Sequence, residues 1–498
     1  MWCVYPSIIL FPILISQTMN KGAFLFGICM LGVSCTQKQH VPTEAEMSAF
    51  GDHVYQMDST LQGNWFSRMG VSADADSLLA YLRRELPRNG LDTTAFFVPQ
   101  IAEDLSIVHT LAFDSLGLNI NEVLLRLEEN LTRAYVDYTT GQRYGFMRPD
   151  KVLNRLQLKP DSSGYVRLFD YEIHSANFSE AEEHAASDSY DRLSWLFDST
   201  PKGNVYHALQ NRLLQSTDKS ERRRLAINME RCRWQTVKPD DKERWVVVNI
   251  PSQQLWAVCP DSILNMRICC GATVTKTPLL SSVISYFQVN PEWIIPQKIV
   301  NSDIARHAGD SAYFARNRYY IVRRSSGDTL QTSAVTASDL RSGTLRVGQK
   351  GGRGNSLGRI VFRFPNNFAV YLHDTNNRGA FSRDRRTLSH GCVRVEKPFE
   401  LACFLMPDAD DWLKDRLRIS MDIAPETMQG TDYLEEHADD PQPYRLLSYR
   451  EVSPSVPVHI EYFTAYPNPE TGFVESWPDL YGYDDAVGRE IAPFILKR

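Results

Sequence analysis

The first half of the chain has the hydrophobic spacing of amphipathic helices. Apolar residues recur every three or four positions, which puts them on one helical face. Four such segments are predicted, at Leu78, Leu79, Leu82 and Leu86; at Leu124, Leu127, Leu131 and Tyr135; at Tyr206, Leu209 and Leu213; and at Leu225, Met229 and Cys232. Pro87 should end the first helix, and Asn121 should cap the second. We therefore expect a mainly helical domain over residues 42–240.

At Trp245 the pattern changes to short apolar runs that are typical of strands. These runs lie at 245–249, 255–258, 263–270, 360–364 and 368–372. The first two flank a Pro251-Ser252 turn, which predicts a hairpin. We expect a β-rich domain over 243–425 and an extension over 426–498 that packs on it, in which 456–463 adds an edge strand. The predicted fold class is therefore α+β, a helical domain followed by a β-rich one.

Residues 296–355 interrupt the β-rich region with a long polar segment that contains several glycines. Long excursions of this kind in compact domains are usually functional. We expect this segment to form a mobile cap, in the manner of a lid.

The first 40 residues have the character of an export leader. Met19 begins a more typical leader than Met1 does, because Lys21 supplies a positive charge before an apolar stretch. Leu31-Gly32-Val33-Ser34-Cys35 resembles a bacterial lipobox, although Gly32 stands where an aliphatic residue is usual. Cys35 is thus the candidate site of lipidation and membrane anchoring. A cleaved signal and an uncleaved anchor are the alternatives, and all three predict export to the periplasmic cell envelope.

Composition narrows the function classes. The chain has 498 residues, of which 43% are hydrophobic and 23% charged, as in globular proteins. A formal net charge of −6 argues against a nucleic-acid binder, which needs a basic face. Beyond residue 40 no apolar run reaches membrane-spanning length. No two of the nine cysteines form a C-x-x-C pair, which argues against a zinc knuckle or a thioredoxin-like site. We expect no metal, no cofactor and a monomer.

One cysteine stands in a pattern that suggests nucleophilic catalysis. His373 follows a strand-like run, and residues 374–388 separate it from Ser389-His390-Gly391-Cys392. A thiol attacks as a thiolate, and an imidazole can take its proton and later protonate a leaving amine. Gly391 would let the substrate approach the backbone, so nearby amides could hold an oxyanion.

The alternative is a buried structural cysteine beside a core histidine. The loop around Cys392 is rich in arginine, which is unusual for a core, at Arg378, Arg383, Arg385, Arg386 and Arg394. These cations should increase the thiolate population and attract carboxylates. The loop composition therefore favours a nucleophile.

This histidine and Ser-His-Gly-Cys pattern resembles the L,D-transpeptidase catalytic domain (YkuD-like). Further segments match the large subgroup with an N-terminal helical scaffold, namely Asn290-Pro291-Glu292-Trp293, 355–359, 371–375, 456–459 and 479–482. The resemblance covers about 245–485 strongly and the helical region loosely. The peptidoglycan-binding insertion that is frequent in this subgroup is not recognisable here.

The resemblance implies an acyl transfer on peptidoglycan. Cys392 would attack the carbonyl of the third residue of a stem tetrapeptide and release D-alanine, with His373 as base and then acid. The amine of a second stem would resolve the thioester and form a cross-link between third-position residues. His390 would orient the loop. The implied substrate-positioning residues are Ser389, Arg394, Tyr371 and Trp293, although core packing explains the last two nearly as well.

Three other functions fit the same residues. Water as the acceptor would give an L,D-carboxypeptidase, and a protein amine would give attachment of proteins to peptidoglycan. A wall-binding lipoprotein without catalysis is a rival of a different class.

Overall fold

The computed structural model describes residues 63–67, 70–157, 166–234, 244–440 and 445–495. The predicted leader, its start at Met19 and the lipidation candidate Cys35 lie outside these ranges. None of the helices in the described ranges is long and apolar enough to cross a membrane.

The first domain is helical, as the spacing of its apolar residues predicts. After a two-stranded ribbon, β1 (Phe66–Ser67) with β2 (Gly70–Val71), its helices are α1 (Ala73–Arg88), α2 (Val98–Thr110), α3 (Phe113–Leu116), α4 (Ile120–Tyr144), α5 (Pro149–Leu153), α6 (Phe178–Ala185), α7 (Ser189–Phe197), α8 (Asn204–Gln215) and α9 (Lys219–Arg233). The predicted apolar stripes are buried. The cap of α4 differs from the prediction: Asn119 accepts from the Asn121 amide at 2.9 Å, so Asn121 lies within the first turn.

The rest of the chain is strand-rich, which confirms the α+β class. Its strands are β3 (Trp245–Asn249), β4 (Gln254–Cys259), β5 (Ser262–Gly271), β6 (Leu280–Val289), β7 (Trp293–Ile294), β8 (Tyr319–Arg323), β9 (Thr329–Leu330), β10 (Leu345–Gln349), β11 (Ile360–Arg363), β12 (Leu372–His373), β13 (Thr387–Ser389), β14 (Val393–Val395), β15 (Tyr449–Glu461), β16 (Ala465–Pro467) and β17 (Val474–Ser476). Short helices lie between and after them, at α10 (Gln297–Ile299), α11 (Ser311–Arg316), α12 (Ala337–Arg341), α13 (Pro398–Phe404), α14 (Asp411–Ser420), α15 (Met428–Glu436) and α16 (Tyr483–Glu490).

Nine of these strands form one sheet, in the order β13-β5-β14-β12-β11-β6-β15-β3-β4. A further pairing of β4 with β5 closes the sheet on itself. The predicted hairpin of β3 and β4 is confirmed by their antiparallel register. The predicted edge position of the C-terminal strand is wrong, because β15 lies between β6 and β3. This strand therefore completes the interior of the sheet, where Val458 and Ile460 are fully buried.

The strand predicted over 368–372 is much shorter than expected. Only Leu372 and His373 pair in the ladder. The Asn366 side chain accepts from the amides of Phe368 and Val370 and donates to the Val370 carbonyl, which ties the preceding residues into a turn. These side-chain bonds replace the ladder bonds of a strand.

The segment predicted as a cap has a sheet and a hydrophobic cluster of its own. Its four strands run in the order β7-β10-β8-β9. Ile304, Phe314, Ile321 and Leu340 are buried in a cluster separate from the core of the large sheet. The cap is thus a small packed unit and not a long irregular loop.

The C-terminal segment braces the loop that carries Cys392. The Tyr481 hydroxyl donates to the Gly271 carbonyl at 2.6 Å and accepts from the Thr277 amide at 3.2 Å. Thr277 Oγ1 in turn donates to the Gly391 carbonyl at 2.8 Å. Gly271 itself admits no side chain, since a Cβ there would lie 2.1 Å from the Thr275 carbonyl oxygen. One tyrosine therefore holds the turn on which the 389–392 loop rests.

We expect Tyr481→Phe to lower the free energy of unfolding by about 1–3 kcal/mol, because it leaves a buried amide and a buried carbonyl without their partner. Urea unfolding measures the effect. Tyr190→Phe is the matched control, since Tyr190 is 85% exposed and should change stability little. Equal stability of the two variants would contradict the bracing role.

Candidate active site

The pairing of β12 with β14 brings the predicted catalytic residues together. The two strands run parallel, with His373 opposite Arg394 and Leu372 opposite Val393. The Val393 amide donates to the Tyr371 carbonyl at 3.1 Å, so Cys392 lies beside Tyr371 just before the strands begin. Side chains alternate along an extended chain, and Tyr371 and His373 therefore share a face, as do Cys392 and Arg394. The rings of Tyr371 and His373 contact edge to face, with centroids 5.7 Å apart.

His373 has a defined tautomer and is neutral. Its Nδ1 lies 2.5 Å from the Asp374 carbonyl oxygen, which can only accept a hydrogen bond. We therefore assign the proton to Nδ1, which leaves Nε2 as the nitrogen that can accept a proton. Burial, with a contribution from the nearby Arg394 charge, lowers the pKa of His373 to about 3. The imidazole can accept a proton at any pH near neutrality.

Cys392 is held as a thiol. The residue is partly exposed, and its sulfur is 3.8 Å from the Ala369 carbonyl oxygen. Burial nevertheless has the largest effect on the sulfur and raises the pKa of Cys392 above its ordinary value. The Tyr371 amide and hydroxyl and the charges of Arg363 and Arg394 lower it by less. The free site thus holds a neutral thiol and a neutral imidazole.

The arginines of the loop act less on the thiol than the sequence suggests. Arg378 forms an ion pair with Asp374 at 2.9 Å, and Arg386 donates to the backbone carbonyls of Ile268 and Gln253. These two arginines stabilise the loop. Arg394 does lower the pKa of Cys392, but burial outweighs it.

Hydrogen bonds from the Ser389 side chain stabilise the loop before Cys392. The Ser389 hydroxyl donates to the Cys392 carbonyl at 2.5 Å and accepts from the Gly391 amide at 3.1 Å. Gly391 has a φ of 122°, which favours glycine. The Gly391 amide is therefore engaged, whereas the Cys392 amide donates no hydrogen bond within the described chain. Of the two predicted oxyanion donors, the Cys392 amide is the available one.

The cap contacts the nucleophile loop. His390 Nε2 lies 3.5 Å from Asp303 Oδ2 in the cap, and both side chains are about half exposed, at 48% and 44%. Trp293 belongs to the cap sheet, where it pairs with Gln349. Its indole is near enough to the Tyr371 hydroxyl to lower the pKa of Tyr371, although burial raises that pKa overall. His390 and Trp293 thus lie where the cap meets the catalytic domain.

Arg363 is a part of the site that the sequence prediction missed. Its guanidinium stacks over the Tyr371 ring, 4.4 Å from the centroid. Its charge lowers the pKa of both Cys392 and His373. The sequence does contain a signal for it, because Arg363 is the charged residue in the otherwise apolar run 360–364. Arg394 forms no ion pair within the described residues, and its Nε is buried there without a hydrogen-bond partner.

Within the described ranges, no group of three or more His, Cys, Asp and Glu side chains could hold an ion. Acyl transfer by thiol and imidazole is the chemistry that the arrangement allows.

Two solved structures show partial similarity. The avibactam carbamoyl enzyme of Ldtfm matches at 11% identity and a TM-score of 0.20, over 34% of this chain and 46% of that one. An L,D-transpeptidase from Mycobacterium smegmatis also matches at 11% identity and a TM-score of 0.20, over 44% and 58%. Superposition this low supports no conclusion on fold or function.

Sequence relatives are more informative. A Haemophilus influenzae protein provisionally named an L,D-transpeptidase is 33% identical over 267 residues, which are 53% of this chain. The chain spans about half, 48%, of that relative's length. Residues 243–414 match the family model of the L,D-transpeptidase catalytic domain (YkuD), and residues 55–213 match that of the scaffold domain. With both domains present in this order, the chain belongs to the L,D-transpeptidases that join a scaffold domain to a YkuD catalytic domain.

Proposed function

We propose that the chain is a peptidoglycan L,D-transpeptidase that works through a thioester on Cys392 and cross-links third-position residues of stem peptides. The observation that carries the proposal is the parallel pairing of β12 with β14, which brings the partly exposed thiol of Cys392 next to the strand that ends in the neutral imidazole of His373. The family membership makes peptidoglycan the expected substrate. The proposed location is the periplasmic cell envelope, with anchoring by a lipid on Cys35 where the leader is processed that way.

Acylation follows from the neutral pair. Cys392 Sγ attacks the carbonyl carbon of the third stem residue while His373 Nε2 takes the thiol proton. The Cys392 amide donates to the resulting oxyanion. As the C–N bond breaks, the imidazolium gives its proton to the amine of the departing D-alanine. Burial disfavours the imidazolium, so the transfer returns His373 to its stable neutral form.

The second half-reaction uses the same groups. The side-chain amine of another stem attacks the thioester carbonyl, and His373 takes a proton from that amine. The C–S bond then breaks, and the proton returns to sulfur as the new amide forms. The unpaired charge of Arg394 and the cation of Arg363 are suited to bind stem carboxylates beside Cys392.

Other acceptors would give related activities. Water would make the chain an L,D-carboxypeptidase, and a protein amine would make it an attachment enzyme. The side chains where the cap meets the loop, His390 and Trp293, are the candidates for selecting the acceptor. The Ser389 hydroxyl forms hydrogen bonds with the Cys392 carbonyl and the Gly391 amide. We therefore propose that Ser389 stabilises the loop and does not bind the substrate directly.

A carbapenem should acylate the wild-type protein once and leave Cys392→Ala unmodified. The reason is that a strained lactam traps the same thiol as the substrate carbonyl would. Intact-mass spectrometry reads the adduct. Cys259→Ala is the matched control, because Cys259 is also partly exposed and has a lowered pKa. An adduct that persists in Cys392→Ala would refute the nucleophile assignment.

Purified protein incubated with peptidoglycan should produce dimers joined through third-position residues. His373→Gln should lower their yield at least 100-fold, because general base catalysis contributes typically 10²–10⁴-fold. Mass analysis of muropeptides after digestion distinguishes the acceptors. Tripeptides without dimers would show a carboxypeptidase, and neither product would favour a non-catalytic wall binder.

The acylation rate should stay nearly constant between pH 7.5 and pH 5.5. His373 has its pKa lowered to about 3, so the neutral base persists down to acidic pH. An ordinary histidine, with a pKa near 6.5, would lose roughly tenfold over this range. Stopped-flow carbapenem acylation measures the rate. A tenfold fall by pH 5.5 would contradict the buried neutral imidazole.

A further inference from the structure

A second concave site lies far along the chain from Cys392 and shares no residue with the active site. It is a cavity of about 820 Å³ between α8, α9, α16 and the residues that follow α16. Leu213, Ala226 and Ile495 form its apolar wall. Its volume is within the range of pockets that bind small molecules and short peptides.

The rim of this cavity is strongly basic. Lys219, Arg222, Arg223 and Arg489 line it, and none of the described lining residues carries a carboxylate. Arg222 is engaged, because it donates to the carbonyls of Leu213 and Ser216 at 2.7 and 3.0 Å.

The other three cations, Lys219, Arg223 and Arg489, make no ion pair or hydrogen bond with the part of the chain that is described. A cleft lined by one sign of charge focuses the potential and attracts counter-ions.

A glycine on α16 allows Arg223, one of these cations, to approach the helix closely. Gly488 is buried on α16, and a Cβ there would lie 2.5 Å from Arg223 Nη2. The Arg223 guanidinium thus lies against the backbone of α16 at the cavity. A guanidinium in this position is suited to bidentate contact with a carboxylate.

We propose that this cavity binds a peptide with several carboxylates and short apolar side chains, namely a second peptidoglycan stem outside the active site. The inference rests on the proposed function, which makes such stems the surroundings of the protein. The free cations would pair with stem carboxylates, while the methyl groups of alanine residues would contact Leu213, Ala226 and Ile495. The helical domain would then hold the enzyme on the wall without an inserted binding module.

Binding to purified peptidoglycan sacculi tests the proposal. We expect Arg223→Gln/Arg489→Gln in the full chain to weaken sacculus binding at least tenfold in a sedimentation assay. The rate of carbapenem acylation at Cys392 should stay within twofold of wild type. Arg83→Gln/Arg133→Gln removes the same charge from exposed arginines of α1 and α4 and should bind as wild type does. Arg489→Gln alone changes an exposed side chain, so it serves if the double variant does not fold.

Three outcomes would overturn the proposal. One is equal sacculus binding by the cavity variant and its control. Another is that the cavity variant loses as much binding to glycan strands whose stems an amidase has removed as it loses to intact sacculi, because the ligand would then be the glycan. The third is a loss specific to vesicles of anionic phospholipid, which would assign the cavity to a lipid phosphate. Absence of a carbapenem adduct on the wild-type protein would refute the proposed function. The sacculus assay would still decide whether the cavity binds stem peptides.

Discussion

The parallel pairing of β12 with β14 is the contact on which the candidate site depends. The pairing joins only two residues of each strand, yet it places Cys392 beside Tyr371, just before the two strands begin. So short a ladder has little stability of its own. Side-chain bonds therefore fix both flanking loops: Asn366 holds the turn before β12, and Ser389 and Thr277 hold the loop before β14. The positions of Cys392 and His373 follow from these polar contacts as much as from the sheet.

Burial, more than charge, sets the protonation state of this pair. Two arginines near the sulfur oppose the effect of burial on Cys392 and reinforce it on His373. Both groups are consequently uncharged before the substrate arrives. An imidazolium–thiolate pair would need stronger compensation in so dry a site. Proton transfer and attack on the carbonyl should accordingly be coupled, with His373 charged only during the reaction.

Helices, turns and motifs that depend on neighbouring residues were predictable from the sequence. The positions of strands that pair with distant parts of the chain were not. Helical spacing at Leu78–Leu86 and the turn at Pro251 depend on neighbouring residues, so the helices and the hairpin are where they were expected. The histidine and cysteine were recognisable from a motif of fixed spacing. The central position of β15 depends on β3, which lies about two hundred residues earlier in the chain, and no local pattern encodes it. Arg363 was missed because only the register of β11 with β12 brings it over Tyr371.

The C-terminal segment links the scaffold to the reaction centre. Its strand β15 pairs with β3, its Tyr481 braces the turn beneath Gly391, and its last helix packs against α9 through Gly488. The same helix positions Arg223 at the basic cavity. The C-terminal segment therefore contacts both the helical domain, through α16, and the support of the nucleophile loop, through Tyr481 and Thr277.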